Sequence, residues 1–305
     1  MLNLEEDDLN RLLDYSELLE NMRSALAAEG NRAIVTKPRV VLSTEPVWWG
    51  VMSAYHRQMG VCVKVVGVFP PSPKGPTVRS KVMLFDYMSG ELLALMDGSY
   101  VTAVRTAIMT CLAMRSVNGG GSVYLIGAGT QAKAHALAMS RLFDLEKVNC
   151  VSKTDASGKR FRVWCDANGI PFDGNLTAEN ADVVVAATNS TSPVLQVYPE
   201  KAKIVCSVGA HTPDSREMGD QVMASAQAVL VDDLEACLSE SGDLVQSLRK
   251  GLLDSSKIVP IADVVGSRFS LADRSRVVYK SVGSAYQDLV AANYFYSKAA
   301  GFNGR

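Results

Sequence analysis

The chain has 305 residues, of which 48% are hydrophobic and 21% are charged, a composition typical of a folded globular protein. Its 31 basic and 32 acidic residues give a net charge of −1, so no basic excess indicates a nucleic-acid partner. The length favours about two domains, and a small molecule remains as the expected substrate class.

The first ten residues, MLNLEEDDLN, are acidic and lack an apolar core, so they predict neither a secretory signal nor a transit peptide. No apolar run is long enough to span a bilayer, and we expect a cytoplasmic protein. The six cysteines include no C-x-x-C pair and fit no zinc template. They are interpreted as buried free thiols, and no metal site is expected.

The N-terminal part predicts a single amphipathic helix. Asp14 is expected to cap it, with Glu17 completing a capping box and Gly30 ending the helix. The apolar residues at helical spacing between these signals are Leu18, Leu19, Met22 and Leu26.

A strand-rich region follows this helix. The apolar runs at 61–68, 81–86 and 91–96 are predicted strands. Because a Ser89-Gly90 turn joins the last two, they are predicted to form a hairpin. The proline-rich stretch 70–76 is predicted to be a loop, because proline cannot occupy a central strand.

From Asp97 onward, helices alternate with strands. Asp97 can cap a helix over 99–117, which Asn118 and three glycines end. The predicted elements that follow are strand 122–126, helix 130–143, strand 148–152, helix 159–168, strands 182–186, 204–208 and 228–231, and a final helix over 282–296. This alternation predicts an α/β fold with a Rossmann-type, doubly wound parallel sheet, next to an α+β domain.

The segment VYLIGAGTQAKAHALAM reads as a strand, a tight glycine turn and a helix. Gly127 allows the turn, Gly129 lets a pyrophosphate approach the backbone, and Ala132 takes the third small position against the sheet. The helix N-terminus then offers N–H groups to phosphate. We therefore predict a nicotinamide dinucleotide site here, the alternative being a tight turn without a ligand.

The end of the next strand bears on which cofactor is used. An NAD-selective enzyme usually has an acidic residue about 20 residues beyond the glycines, whereas no carboxylate precedes Asp155 here. Ser152 and Thr154 can donate hydrogen bonds, and Lys153 can neutralise a 2′-phosphate. This favours NADPH, with NADH as the second choice; the alternative is that Lys153 is a solvated surface lysine.

Three cations without an obvious local partner suit a small acid as substrate. Arg39 lies where an extended segment begins, and Lys64 interrupts the apolar strand VCVKVVGV. Arg105 lies among small and apolar residues in VTAVRTAIMT, where it can bind a carboxylate with two hydrogen bonds. The alternatives are that Lys64 points to solvent and that Arg105 forms a structural ion pair.

Five segments together resemble the ornithine cyclodeaminase/μ-crystallin family. They are VKV, SYVTAVRTA, GAGTQA, SVGAHTPDSREM and KSVGSAYQDLVAA, in the family's order and over nearly the whole chain. The T-A-x-R-T-A and V-G-x-x-x-P-x-x-R-E-[LM] patterns are more specific than the glycine turn.

This resemblance implies a substrate-binding and dimerisation domain over 1–117, a Rossmann domain over 118–283 and a return helix over 284–305, in a homodimer. It implies that Arg39 and Arg105 hold a substrate carboxylate and that Lys64 hydrogen-bonds the substrate near the reacting carbon. The residue that matches Thr77 touches substrate or cofactor. The cofactor-binding residues that we predict are Gly127, Ala128, Gly129, Thr130, Gln131, Ser152, Lys153, Thr154, Ala187, Thr188, Val208, Gly209, His211 and Gly283.

His211 indicates the branch of the family. Ornithine cyclodeaminases have an aspartate there, whereas V-G-A-H resembles the ketimine reductase and Δ1-pyrroline-2-carboxylate reductase branch. The catalytic residues expected are therefore Lys64, Arg105 and His211, with Lys64 or His211 as the proton donor. An alternative is that His211 only lines the nicotinamide site; His56 and His135 are interpreted as structural.

The leading hypothesis is NAD(P)H-dependent reduction of the C=N bond of Δ1-pyrroline-2-carboxylate or Δ1-piperideine-2-carboxylate, giving L-proline or L-pipecolate. The alternatives are an alanine-type dehydrogenase, an opine-type reductase, an ornithine cyclodeaminase, and a non-catalytic μ-crystallin-like binding protein.

Overall fold

The computed structural model describes residues 1–27, 33–44, 46–70, 77–271 and 275–301. Its contacts divide the chain into two compact units. Unit 1 comprises Met1–Arg105 and the segment from Ser284 onward, and unit 2 is Thr106–Gly283. The division falls inside a helix, earlier than the boundary expected at 117. Outside the described residues lie the predicted helix end at Gly30, most of the predicted loop (71–76) and the last four residues of the return helix (302–305).

The elements are numbered in chain order along the described residues. The strands are β1 (Leu2–Leu4), β2 (Val35–Thr36), β3 (Val40–Thr44), β4 (Val47–His56), β5 (Gly60–Val68), β6 (Val78–Phe85), β7 (Leu92–Asp97), β8 (Ser122–Ile126), β9 (Lys147–Val151), β10 (Val183–Ala186), β11 (Ile204–Ser207), β12 (Ala228–Val231), β13 (Ile258–Pro260) and β14 (Val277–Lys280). The helices are α1 (Glu6–Leu12), α2 (Tyr15–Leu26), α3 (Gly98–Arg115), α4 (Thr130–Leu142), α5 (Asp155–Ala167), α6 (Asp220–Ser225), α7 (Leu234–Glu240), α8 (Gly242–Arg249), α9 (Ile261–Val265) and α10 (Ala285–Ala299).

Unit 1 is built on one sheet in the order β1-β7-β6-β5-β4-β2, with β3 also pairing with β4. Its pairs are antiparallel except for the parallel pair β1–β7, and the predicted β6–β7 hairpin is confirmed. Helix α10 packs against β4, β5, β6 and α2. On β5 the side chains alternate, so Cys62 and Lys64 both take inward, buried positions.

The capping interactions of unit 1 only partly follow the prediction. Asp14 caps α2 by accepting a hydrogen bond from the Glu17 backbone N–H at 2.9 Å, as predicted. The reciprocal half of the capping box is wrong, because the Asp14 N–H donates to the Tyr294 hydroxyl at 2.7 Å and the Glu17 carboxylate pairs with Lys298 at 2.5 Å. Tyr294 and Lys298 of α10 therefore bind the two groups that a capping box would join to each other. Asp97 caps α3 as predicted.

Unit 2 contains a seven-stranded sheet in the order β13-β12-β14-β11-β10-β8-β9, with every pair parallel. Strands β10, β11, β12 and β14 are buried along their whole length, as expected for a parallel sheet. From β8 the chain first adds β9 on one side and then β10 on the other. The strand order therefore reverses at β8, which is where doubly wound folds bind ligands.

All six cysteines are free thiols; five are buried and Cys150 is half-buried. Burial raises the pKa of Cys150 to about 11 and that of Cys165 to about 12, so neither is a reactive thiolate at neutral pH. No helix in the described ranges is long and apolar enough to cross a membrane. The same residues contain no group of three or more His, Cys, Asp or Glu that could hold a metal ion.

Candidate functional site

Lys64 is a charged residue in the interior of unit 1. Its position on β5 faces inward, between Met52 of β4 and Val82 of β6, and only 3% of its surface is exposed. The alternative that Lys64 points to solvent is therefore wrong. Its Nζ lies 2.7 Å from Oδ2 of Asp288, an equally buried residue on α10.

Arg105 binds the same carboxylate. Its Nε lies 3.3 Å from Oδ1 of Asp288, and its Nη1 donates a hydrogen bond of 2.6 Å to Oε1 of Gln287. The common acid of Lys64 and Arg105 is not a local partner, because it lies 183 residues beyond Arg105 in the chain, and the ion pair considered as the alternative for Arg105 is present. We call Lys64, Arg105, Gln287 and Asp288 the cation cluster.

The cation cluster holds two cations and one carboxylate, all buried. Burial lowers the pKa of Lys64 to about 8, and the nearby Arg105 adds to that lowering while Asp288 opposes it. Among the described residues the cluster has one carboxylate for its two cations, and a buried charge without a partner is costly. A small carboxylate is the ligand that would complete it.

The other two predicted substrate residues lie in the same unit. Arg39 directly precedes β3, its guanidinium lies 5.9 Å from the Trp48 ring centroid, and its charge contributes to the lowered pKa of Lys64. Thr77 precedes β6, and its carbonyl accepts a hydrogen bond of 2.8 Å from the Phe69 N–H. Arg39 is thus electrostatically coupled to the cluster, whereas Thr77 is placed by its backbone at the base of the β5–β6 connection.

The glycine turn of unit 2 is tightly packed at one glycine and open at the other. Gly127 has φ +120°, and a Cβ there would lie 2.5 Å from the Ala187 carbonyl oxygen. Gly129 precedes α4, and a Cβ there would meet nothing within 4 Å. Gln131 Oε1 is buried and has no hydrogen-bond partner among the described residues. The open approach to the helix N-terminus fits a bound pyrophosphate, whose oxygens would accept hydrogen bonds from the backbone N–H groups there.

The remaining predicted cofactor residues follow the carboxyl ends of strands. Ser152 follows β9, Thr188 follows β10, Gly209 follows β11 and Gly283 follows β14. Because all strands of this sheet are parallel, these ends lie along one edge. The glycine turn joins them, since the Gly127 N–H donates to the Val151 carbonyl of β9 at 2.8 Å.

The segment after β9 uses its hydroxyls locally. Ser152 Oγ donates to the Thr154 carbonyl at 2.9 Å, and Thr154 caps α5 by accepting from the Ser157 N–H. This cap makes α5 begin at Asp155, earlier than the start predicted at 159. Lys153 is exposed, and Arg160 is held near the cap by a 3.0 Å hydrogen bond to Ser157 Oγ.

The histidines differ in their surroundings. His211 is exposed after β11, and its Nδ1 donates to the Gly209 carbonyl at 3.0 Å. His135 is buried on α4, with Nδ1 2.7 Å from the Gln131 carbonyl oxygen and Nε2 2.9 Å from Thr110 Oγ1. Burial lowers the pKa of His135 to about 4, so it is a neutral packed side chain. His56 ends β4 and accepts a hydrogen bond from a turn N–H.

Sequence reasoning missed a buried polar network under the strand ends. Glu217 Oε1 accepts hydrogen bonds from the Thr188 N–H and hydroxyl at 2.7 and 2.9 Å. Its Oε2 accepts from Ser207 Oγ and the Gly209 N–H, both at 2.8 Å. Burial raises the pKa of Glu217, while Lys280 and these donors counteract the rise. One carboxylate thereby fixes the loops that follow β10 and β11.

Two further acids support the same edge of the sheet. Asp243 accepts from the Glu217 N–H at 2.9 Å, and its other oxygen lies 3.2 Å from the Lys280 ammonium. Asp232 accepts from the Gly283 N–H at 2.9 Å. A Cβ on Gly209 would lie 1.9 Å from the Thr188 carbonyl oxygen, so only glycine fits there. These contacts explain the glycine and the acid of the V-G-x-x-x-P-x-x-R-E-[LM] pattern.

Comparison with known proteins agrees with this architecture. The profile of the ornithine cyclodeaminase/mu-crystallin family matches residues 2–303. A Δ1-pyrroline-2-carboxylate/Δ1-piperideine-2-carboxylate reductase of Azospirillum brasilense is 32% identical over 294 residues, 93% of this chain and 91% of that protein. The Thermococcus litoralis Δ1-pyrroline-2-carboxylate reductase, solved with NADH and L-proline, superposes with a TM-score of 0.90 at 26% identity, over 99% and 98% of the two chains. An archaeal alanine dehydrogenase dimer with bound NAD gives 0.87 at 25% identity, over 100% and 97%. The chain belongs to the ornithine cyclodeaminase/mu-crystallin family.

Proposed function

We propose that this protein reduces cyclic imino acids with a nicotinamide dinucleotide, converting Δ1-pyrroline-2-carboxylate to L-proline and Δ1-piperideine-2-carboxylate to L-pipecolate. The observation that carries the proposal is the cation cluster, in which two buried cations of unit 1 share one carboxylate among the described residues, so that a second negative charge would balance them. A cyclic imino acid supplies that charge next to its C=N bond. The names of the A. brasilense and T. litoralis relatives support the same reaction.

Four of the predicted residues take a role in this proposed reaction. Arg105 engages described residues through Nε and Nη1, and we assign its Nη2 and the guanidinium of Arg39 to the substrate carboxylate. We assign the proton that goes to the imine nitrogen to the Lys64 ammonium, with His211 as the alternative donor. When bound, the reduced nicotinamide supplies the hydride. Fixing the carboxylate orients the C=N carbon and so lowers the entropic part of the barrier.

A three-way assay tests this proposal. Purified protein is mixed with NADPH and Δ1-pyrroline-2-carboxylate, with NADPH, pyruvate and ammonia, and with ornithine and NAD. We expect NADPH oxidation in the first mixture. Oxidation in the second alone would identify an alanine-type dehydrogenase, ammonia release in the third would identify a cyclodeaminase, and binding without turnover would identify a μ-crystallin-like carrier.

We further propose that NADPH is preferred over NADH. The support is the absence of a carboxylate between Val151 and Asp155, together with the exposed cations Lys153 and Arg160. Lys153→Asp should lower the ratio of kcat/KM for NADPH to that for NADH by about 10- to 100-fold, because a charged hydrogen bond contributes roughly 1.5–3 kcal/mol. Lys147→Asp, at the opposite end of β9, is the control and should keep the ratio. An unchanged ratio in Lys153→Asp would remove Lys153 from the site.

We also propose a homodimer that is formed through β3. Val40, Val41 and Leu42 on this strand are 57%, 49% and 59% exposed, and within the described part of the chain β3 pairs with β4 alone. An apolar, half-paired strand of this kind marks an association surface. Light scattering should give a dimer mass for the wild type and a monomer mass for Leu42→Glu. Val163→Glu, at an exposed apolar residue of α5, should stay dimeric; a dimeric Leu42→Glu would refute the interface.

A further inference from the structure

Asp288 is the shared partner of both buried cations in unit 1. It lies on α10 with no exposed surface, and its two oxygens contact different residues: Oδ2 contacts Lys64 at 2.7 Å and Oδ1 contacts Arg105 at 3.3 Å. A carboxylate in this position both holds the two cations in place and sets the electrostatic potential at the Lys64 ammonium. A guanidinium group does not lose its proton in a protein. Lys64 is the cation whose charge can change.

The charged and titratable groups that act on Lys64 come from four parts of unit 1. Asp288 belongs to α10, Arg105 to α3, Arg39 to the segment before β3 and Cys62 to the same strand as Lys64. Burial raises the pKa of the Cys62 thiol far above its usual value, so Cys62 stays neutral. Burial and the two guanidinium groups lower the pKa of Lys64 to about 8, and Asp288 opposes them. Near this pH, a small change in local charge changes the protonation of Lys64.

We propose that Asp288 is a positioning residue that keeps Lys64 poised to take up a proton when a substrate carboxylate binds, and that Lys64 then donates this proton to the imine nitrogen. The inference rests on the proposed function for its chemical step. There the C=N carbon receives a hydride from a reduced nicotinamide dinucleotide, and the nitrogen receives one proton from the Lys64 ammonium. Lys64 is left as a neutral amine next to Asp288, and it regains a proton from solvent when the next carboxylate binds.

The direction in which a bound ligand shifts the pKa of Lys64 follows from the charges of the ligand and of Asp288. Without a ligand, the neutral amine predominates above about pH 8. An incoming carboxylate adds a negative charge beside Lys64, which favours the ammonium form and raises its pKa. Binding therefore takes up protons most strongly above pH 8. Removing the charge of Asp288 lowers the pKa of Lys64, so the maximum of proton uptake moves to lower pH.

Calorimetry on the protein without dinucleotide tests this directly. Pyrrole-2-carboxylate, a planar acid that cannot be reduced in the same way, is titrated into the protein from pH 6 to pH 10 in two buffers of different ionisation enthalpy. The difference in heat gives the number of protons taken up. We expect a bell-shaped profile whose maximum lies above pH 8, between the pKa values of Lys64 in the free and the ligand-bound wild type, and it should be displaced by about 1–3 pH units to lower pH in Asp288→Asn.

Two further variants assign the effect. Lys64→Arg keeps the positive charge but cannot lose it, so its profile should be flat. Gln287→Glu adds a second carboxylate beside Arg105, so it should weaken ligand binding and move the maximum to higher pH. Gln287→Glu therefore tests whether nearby carboxylates set the pKa of Lys64, even if Asp288→Asn does not fold.

The outcomes separate this inference from the proposed function. Ligand binding without proton uptake in the wild type, or an unmoved profile in a folded Asp288→Asn protein, overturns the inference. A protein that shows the profile but does not reduce the cyclic imino acid supports Asp288 as the residue that tunes Lys64 and refutes the reductase proposal. Failure to bind any small carboxylate refutes both.

Discussion

Arg105→Ala is expected to lower kcat/KM for Δ1-pyrroline-2-carboxylate by about 30- to 5000-fold, because truncating one partner of a buried hydrogen-bonded charge pair costs roughly 2–5 kcal/mol of binding free energy. Arg105 contacts Asp288 and Gln287 through Nε and Nη1, and the proposed role assigns its remaining donor to the substrate. The loss should therefore appear mainly as a higher KM, in steady-state assays at saturating NADPH.

Further variants distinguish a substrate-binding Arg105 from an Arg105 that only forms a structural ion pair. Arg105→Lys keeps the charge but loses the planar fork, so it should retain part of the activity with a KM raised about tenfold. Lys81→Ala is the matched control, because Lys81 pairs with Glu5 on the exposed surface of the same unit and should change KM by less than about twofold. If Arg105→Ala lowers the melting temperature but leaves KM unchanged, Arg105 only stabilises Asp288 and the carboxylate anchor is wrong.

Much of unit 2 could be predicted because its signals are local. Strands buried on both faces appear as short apolar runs, and the glycine turn lies between one such run and a helix. The runs at 122–126, 204–208 and 228–231 agree with β8, β11 and β12 to within one residue. Strand β14 was missed because its last residue is Lys280, a buried lysine that interrupts the apolar pattern.

The candidate site could be predicted only in part, because its acids come from distant segments. Lys64 and Arg105 stand out as cations in apolar surroundings, and sequence spacing alone assigns them no partner. Asp288 lies in YQDLVAA, where an acid in an apolar helical segment is unusual enough to suggest a special role. Its partner Arg105 lies more than 180 residues away, so the sequence does not show that the two residues meet. Glu217 has a similar position within DSREM. Local pattern identifies unusual residues, and only tertiary contacts show which of them meet.

The glycine turn yields the second large prediction, in which alanine at Gly127 and alanine at Gly129 impair the protein for different reasons. Gly129→Ala should fold normally, because its φ of −85° suits any residue and the added Cβ meets nothing within 4 Å. The same Cβ would occupy the approach to the α4 N-terminus, so we expect dinucleotide affinity to fall by about 10- to 100-fold, roughly 1.4–2.8 kcal/mol. Gly127→Ala should lose stability as well, because φ is +120° and the Cβ would lie 2.5 Å from the Ala187 carbonyl oxygen.

Titrating NADPH by fluorescence and unfolding each variant in urea measures the two effects separately. Gly169→Ala is the control for backbone strain alone, since its φ is +66° with nothing near the added Cβ, and it should lose about 1 kcal/mol of stability without losing affinity. The expected pattern is lost affinity alone for Gly129→Ala, lost stability alone for Gly169→Ala and both for Gly127→Ala. If Gly129→Ala binds NADPH as tightly as the wild type, no pyrophosphate approaches this backbone and the turn serves only to connect β8 with α4.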